Sequence, residues 1–303
     1  MSNSIRRLGA WLFGQPYLLL IITTLFWAGN AIVGRGVRGD VEPIALAFLR
    51  WCGAFAITLP FALPHMRRDW SVILRRWRIL LVLSALGVGT FNTLLYTGLQ
   101  FTTATNAALI QSANPVLIAL SVLVLYREVP SALQIVGIAI SLAGVITVIT
   151  QGDAAILRNL SFNIGDVWCL VAVLVWAAYT ALLRKRPPIH WLSFLSVTFG
   201  VGVLCLMPLF LLELTGGMRI NPTPSAVAAI VYVAIFPSVI AYICFNRGVE
   251  LIGPTRAGPF NHLVPLFVAI LAFALLGETP HLYHAIGFAL VIGGVTMASQ
   301  KRS

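Results

Sequence analysis

The sequence predicts an all-α integral membrane protein: ten transmembrane helices as two inverted five-helix repeats, with N- and C-termini both cytoplasmic. Three observations predict it. The 303 residues are 59% hydrophobic and only 10% charged, too few charges to coat a soluble surface of that size. Ten apolar runs of spanning length consume nearly the whole chain. The second half of the chain also echoes the first at a nearly fixed offset.

The spans fall at 17–34, 43–62, 79–97, 107–125 and 131–150, then at 164–183, 189–212, 224–245, 259–276 and 281–298. A helix of about 20 residues crosses the hydrocarbon core. No connection holds a soluble domain, so the organisation is a tail at 1–16, halves at 17–150 and 164–298, and a tail at 299–303. Arg6 and Arg7 before an apolar run imitate a secretory signal. No small-x-small cleavage site follows, and the first span has a counterpart later, so it is expected to be retained.

Charge sets the orientation. With the N-terminus inside, fifteen Lys and Arg fall on the cytoplasmic side, in clusters such as Arg67–Arg68, Arg75–Arg76–Arg78 and Arg184–Lys185–Arg186. Four (Arg35, Arg38, Arg158 and Arg219) fall outside, and Arg50 lies within a span. That asymmetry obeys the positive-inside rule and accounts for the net charge of +11 without a nucleic-acid partner. Trp11, Trp70, Trp77 and Trp191 stand at span ends, where interfacial aromatic belts lie.

At an offset of 150, residues 98–145 align without gaps to 248–295, with eleven identities that include Gly98/Gly248, Pro115/Pro265, Glu128/Glu278, Pro130/Pro280, Gly137/Gly287 and Gly144/Gly294. LFWAGN at 25–30 echoes LVWAAY at 174–179. Five spans per copy is an odd number, so the second copy enters the membrane upside down, a recurrent carrier architecture with its site between the halves.

Pro115 and Pro265 each remove a helix hydrogen bond, freeing the carbonyls of Gln111 and Asn261. A free carbonyl at that depth needs protein or a watery cavity over it. Two symmetry-related prolines with carboxamide partners favour a cavity wall over a sealed packing kink. Glu128-x-Pro130 and Glu278-x-Pro280 read as caps in the first turns of spans five and ten rather than as gates. The paired glycines read as close helix contacts.

The candidate substrate-binding residues are polar and aromatic. Asn92 and Tyr96 share a helix face in span three, and Tyr242 and Asn246 restate them in swapped order in span eight. Asn30 near Trp27 matches Tyr179 near Trp176. Gln111, Asn114, Asn261 and His262 flank the prolines. Each residue alone serves equally as an interhelical hydrogen bond; the set favours a lining. Arg50 is expected to pair or snorkel toward Asp40 and Glu42 in preference to binding a substrate carboxylate. His262 is the obvious titratable group at mid-span depth, which gives proton coupling weak support.

Other chemistry is absent. The sequence has no Walker loop, no metal-spaced cluster and no catalytic trio, so neither an enzyme nor a cofactor is expected. Cys52, Cys169, Cys205 and Cys244 are isolated and read as packing residues.

WAGNAIVGR in span one, Pro43 followed by FLRW in span two, and ALIQSANPVLIALSVLVLYREVPSALQIVGIAISLAGV resemble the EamA family of the drug/metabolite transporter superfamily. HLVPLFVAILAFALLGETPHLYHAIGFALVIGGV resembles the same signature again. The resemblance covers about residues 17–298 and implies a bacterial inner-membrane carrier that exports amino acids or other small metabolites. The length and layout are similar to those of YddG-type amino-acid exporters. Drugs, purines or nucleotide sugars are the alternative cargoes, and a membrane-embedded non-transport protein is the alternative of another class.

Overall fold

The computed structural model describes residues 3–37, 39–217, 220–277 and 279–300. Arg38, Arg219 and Glu278, used above, and Lys301 and Arg302, two of the fifteen basic residues counted above, lie outside the described residues. Among the described residues, ten helices are long and apolar enough to cross a membrane. Spans one to five are Pro16–Gly34, Pro43–Arg75, Trp77–Phe101, Ala104–Tyr126 and Ala132–Ile149. Spans six to ten are Ile164–Lys185, Trp191–Thr215, Pro224–Ile252, Pro254–Leu275 and Leu282–Ser299. A short helix, Asn3–Phe13, precedes them.

Span two is longer than expected. Its 33 residues reach about 50 Å at 1.5 Å each, against about 30 Å of hydrocarbon. The helix runs through Pro60 and Pro64 and continues along HMRRDW, carrying Arg67 and Arg68 beyond the apolar stretch. Proline inside a membrane helix is tolerated because neighbours re-satisfy the freed carbonyl.

The expected caps are corrected. Span five starts one residue after Ser131, whose Oγ accepts from Gln134 N–H while Ser131 N–H donates to Gln134 Oε1. Glu128 and Pro130 lie ahead of that helix. Glu128 instead accepts from Arg184 at 2.7 Å, and this hydrogen bond holds its carboxyl below the usual carboxylate range. At span ten, Pro280 precedes the cap residue His281, whose N–H donates to His284 Nδ1.

Close backbone approach holds spans five and ten together. A Cβ on Gly137 would stand 2.5 Å from the nitrogen of Ala298, and one on Gly144 would stand 2.7 Å from the carbonyl of Gly287. In return, a Cβ on Gly294 would stand 2.5 Å from the carbonyl of Gly137. Lipid offers no hydrophobic drive between helices, so packing of this kind supplies the association.

Contacts across the bundle define its two ends. At one end Arg247 Nε donates to the carbonyl of Phe13, Arg186 and Arg247 share Glu250, and His190 N–H donates to Asp69. Tyr17 donates to the carbonyl of Ser299, which places the start of span one beside the end of span ten. At the other end Asn221 N–H donates to the Asp40 carbonyl, and Asn106 bridges to Asp166 and the Ser161 carbonyl.

Four irregularities interrupt the helices at corresponding places in the two halves. Wide π turns occur at Ala85–Thr90 in span three and Ala234–Ile240 in span eight. Span four leaves the helix between Gln111 and Asn114, and span nine tightens to a 3-10 turn at Gly258–His262.

Candidate functional site

The wide turn of span eight is explained by its own residues. Pro237 has no N–H, which strands the carbonyl of Val233 four residues earlier. The Ser238 hydroxyl donates to that carbonyl at 2.6 Å. The carbonyl of Pro237 accepts from Trp27 Nε1 at 3.2 Å and from Arg50 Nη2 at 3.1 Å, and Ser238 Oγ accepts from Arg50 Nε at 2.5 Å. In span three the matching turn presents the carbonyl of Gly87 to the Tyr242 hydroxyl at 2.6 Å. Each half thus offers the other a backbone carbonyl released by a wide turn.

Around these turns the aromatic residues form one cluster. Trp27 meets Trp176 edge-on at 5.3 Å and Phe245 at 5.2 Å. Trp176 lies 5.2 Å from Tyr179 and 6.0 Å from Tyr242, and Trp51 meets Tyr242 edge-on at 5.1 Å. Edge-on and offset rings suit the aromatic quadrupole. Gly87 has no side chain because a Cβ there would stand 2.5 Å from the Tyr179 ring. The Tyr179 hydroxyl donates to Asn246 Oδ1 at 2.9 Å, and Asn92 donates to the Val88 carbonyl, next along the chain from the Gly87 carbonyl that holds Tyr242.

Of the sequence-predicted residues, Trp27, Asn92, Trp176, Tyr179, Tyr242 and Asn246 are therefore brought together. Tyr96, Asn30 and Gln111 are half-buried. Asn114, Asn261 and His262 belong to a second group at the broken spans, beside Pro115 and Pro265. There His262 is 1% exposed, with Nδ1 on Ser141 Oγ at 2.7 Å and Nε2 on the Ser112 carbonyl at 2.8 Å. No hydrogen bond or ring contact joins the second group to the first among the described residues.

Five buried side-chain atoms have no hydrogen-bond partner among the described residues: Trp51 Nε1, Asn114 Oδ1, Ser193 Oγ, Asn246 Nδ2 and Asn261 Nδ2. Three of the five belong to the predicted lining. A buried polar atom without a partner is costly, which makes these atoms candidates for solute contact. A narrow crevice lined by Phe13, Arg186, Trp191, Phe194 and Arg247 also takes in Asn246. Beside it His190 stacks on His65 at 3.6 Å, and burial pushes the His190 imidazole down from its ordinary value.

The expectation for Arg50 is corrected. It does not reach for the span end: it is 4% exposed and turns to span eight, while Asp40 accepts from Thr223 instead. The available partners decide this, since the bared Pro237 carbonyl and Ser238 lie within reach of the guanidinium. Sequence reasoning also missed Gly87 and Pro237, which stand 150 residues apart. Unlike residue types hid the correspondence, although a proline in mid-span eight was a readable signal. Asp166, in the first turn of span six, is buried and bound by Thr102, Asn106 and Asn163.

Among the described residues no group of three or more His, Cys, Asp or Glu could hold a metal ion, and the four cysteines are free. The arrangement offers aromatic faces, amides and one buried cation, which can bind a polar solute but supply no nucleophile with a base.

Comparison with known proteins accords with this chemistry. The model of the EamA-like transporter family matches twice, over residues 15–150 and 163–300. An uncharacterized transporter of Archaeoglobus fulgidus is 31% identical over 297 residues, covering 95% of this chain and 98% of the relative. The uncharacterized transporter YyaM of Bacillus subtilis is 29% identical over 288 residues, covering 93% of each. The uncharacterized inner membrane transporter YicL of Salmonella typhimurium is 23% identical over 293 residues, covering 93% of this chain and 94% of the relative. One protein crystal structure superimposes with a TM-score of 0.77 at 20% identity, covering 94% of this chain and 96% of that one, a likeness of fold. The chain belongs to the EamA-like transporter family and is a multi-pass secondary transporter, not an enzyme.

Proposed function

We propose that the protein exports amino acids or related small metabolites across the inner membrane. Two inverted halves, at 17–150 and 164–298, exchange access to a site between them, with both termini cytoplasmic. The reciprocal glycine contacts support the inversion: Gly137 faces Gly294 and Gly144 faces Gly287, each pair being the repeat image of the other. The meeting of the Arg-rich connections at one end supports the orientation.

The observation that carries the reading is the cluster around Tyr242, which draws Trp27 and Asn92 from one half and Trp176, Tyr179 and Asn246 from the other. Aromatic faces accept an ammonium group, and amides serve polar side chains. Asn30, Tyr96, Gln111, Asn114 and Asn261 would extend the lining toward the two ends. His262 would hold the broken segments in register beside it.

The density of rings favours a second reading: a planar aromatic cargo such as a purine, a drug or a nucleotide sugar. One experiment tests both. Purified protein in liposomes is preloaded with labelled amino acids and, separately, with nucleosides, and efflux is followed at equal pH and under an imposed pH gradient. Selective amino-acid efflux is expected. Efflux of nucleosides with no amino-acid efflux promotes the second reading, and a rate that follows the gradient adds proton coupling.

A further inference from the structure

We propose that Arg50 is the anion-binding group of the transport site, taking the carboxylate of the solute and selecting carboxylate-bearing cargo over the same molecules with that group masked. The proposal rests on the central-site reading above and names its cargo class.

Arg50 lies seven residues inside span two and is 4% exposed. A guanidinium keeps its charge at any physiological pH, and a buried cation in a membrane is expensive unless an anion answers it. Among the described residues Arg50 forms no ion pair. Its two hydrogen bonds go to neutral acceptors, the Ser238 hydroxyl and the Pro237 carbonyl. The buried carboxylate of Asp166 is engaged elsewhere, by Thr102, Asn106 and the backbone of Asn163. A guanidinium carries five N–H donors, so donors remain beyond the two in use.

The surroundings are short of acceptors in the same way. Two unpartnered buried atoms of the Tyr242 cluster are N–H donors: Trp51 Nε1 and Asn246 Nδ2. Trp51 lies under the guanidinium, 4.8 Å from ring centroid to Cζ, and its ring also packs on Tyr242. A site with an unanswered cation and surplus donors is made for an anion, and the flat fork of Arg matches a carboxylate with two parallel hydrogen bonds. The α-ammonium of a zwitterion would then find the faces of Trp27, Trp176 and Tyr242, which lie around the same carbonyl and ring contacts.

The placement also suits a carrier. Arg50 belongs to the first half and both its acceptors to the second, so separation of the halves on either side frees its donors for the solute. A carboxylate reached in this way replaces two neutral acceptors by a charged one, a stronger partner.

The test pairs each amino acid with its carboxamide, which keeps the ammonium and side chain and removes the negative charge. Wild-type protein in liposomes is expected to release the acid faster than the amide. Arg50→Gln is expected to lose about tenfold or more of the acid rate, as loss of a charged hydrogen bond implies, with the acid-to-amide ratio falling toward one. Arg50→Lys, which keeps the charge without the fork, is expected to restore part of the preference. A folded Arg50→Gln that keeps the wild-type ratio overturns the proposal.

A second measurement needs no variant: the acid is expected to raise the melting temperature of the wild-type protein more than the amide does. Equal shifts from both overturn the proposal even where Arg50→Gln does not fold. Wild-type protein that moves neither acids nor amides sinks the amino-acid reading by itself. Arg50 is then judged on nucleoside monophosphates against nucleosides, where equal rates reject an anion site and faster monophosphate efflux upholds it.

Discussion

The Tyr242 hydroxyl reaches across the bundle to the carbonyl of Gly87 at 2.6 Å, joining span eight of one half to the wide turn of span three in the other. The bond closes a ring of contacts through Trp27, Trp176 and Tyr179, so one phenol both seals a bared carbonyl and anchors the aromatic cluster. Tyr242→Phe keeps the ring and strands the carbonyl. The expected loss is about 1–3 kcal/mol of stability, read as a lower melting temperature in detergent. Efflux is expected to slow as well. A variant as stable and as fast as wild type would show that the bond carries neither fold nor site.

The contact of spans five and ten gives a sharper contrast. At Gly137 a side chain would meet backbone atoms of Ala298 and Gly294, which cannot rotate away, whereas a Cβ on Gly293 meets nothing within 4 Å. Gly137→Leu is expected to cost most of the folded yield. Gly293→Ala is expected to leave it unchanged or to raise it, because alanine favours the helix by up to about 1 kcal/mol. Monodisperse protein recovered from membranes measures both, and equal yields would remove the close-packing account.

Much of the fold was legible because the membrane imposes it. A span must be apolar for its full length, so the ten helices announce themselves by composition. The surplus of span two was hidden by Pro60 and Pro64, which end helices in water but not here. The cap of span five was misassigned because Glu128-x-Pro130 resembles a first turn, while Ser131 with Gln134 makes the stronger cap. In the site, Tyr242 and Asn246 were readable from their helical spacing. The wide turns were not, because a π turn depends on which carbonyls find partners in another span, and Arg50 follows those carbonyls rather than its own sequence neighbours.

His262 joins three segments, with Nδ1 on Ser141 of span five and Nε2 on the Ser112 carbonyl of the break in span four. With both ring nitrogens engaged, His262→Ala strands that carbonyl and leaves a cavity. The expected cost is about 1–3 kcal/mol for the hydrogen bonding, with more from lost packing. The dependence of efflux on a pH gradient is expected to match wild type. A variant of normal stability whose efflux no longer follows a gradient would make His262 a proton site instead.

At the Arg-rich end, burial lowers the pKa of His190, with His65 and Arg186 adding to the effect and Asp69 opposing it. The folded protein therefore takes up this proton at lower pH than the unfolded chain does. The stability this contributes is complete above the ordinary value of 6.5 and is lost as pH falls from there through the lowered value. Between about pH 7.5 and about pH 5.5 the melting temperature of the wild type is expected to fall more than that of His190→Gln. Parallel curves for the two proteins would assign the acid sensitivity elsewhere.

Asp166 is the buried carboxylate that a search for a proton carrier would choose first, and its hydrogen bonds argue for a structural role. One oxygen accepts from the Thr102 hydroxyl at 2.5 Å and from Asn106 at 3.2 Å; the other accepts from the Asn163 N–H at 2.8 Å. It thereby closes the reciprocal cap that starts span six and ties that start to the end of span three. Asp166→Asn keeps the shape but turns one acceptor into a donor, so an amide must face the N–H of Asn163 or the hydroxyl of Thr102 loses its partner. A loss of about 1–3 kcal/mol is expected, with efflux per folded molecule keeping its pH profile. The opposite pattern, unchanged melting with a shifted pH profile of efflux, would mean that the carboxylate exchanges a proton during transport. Its three donors would then have to release it in every cycle, and the cap of span six would open with them.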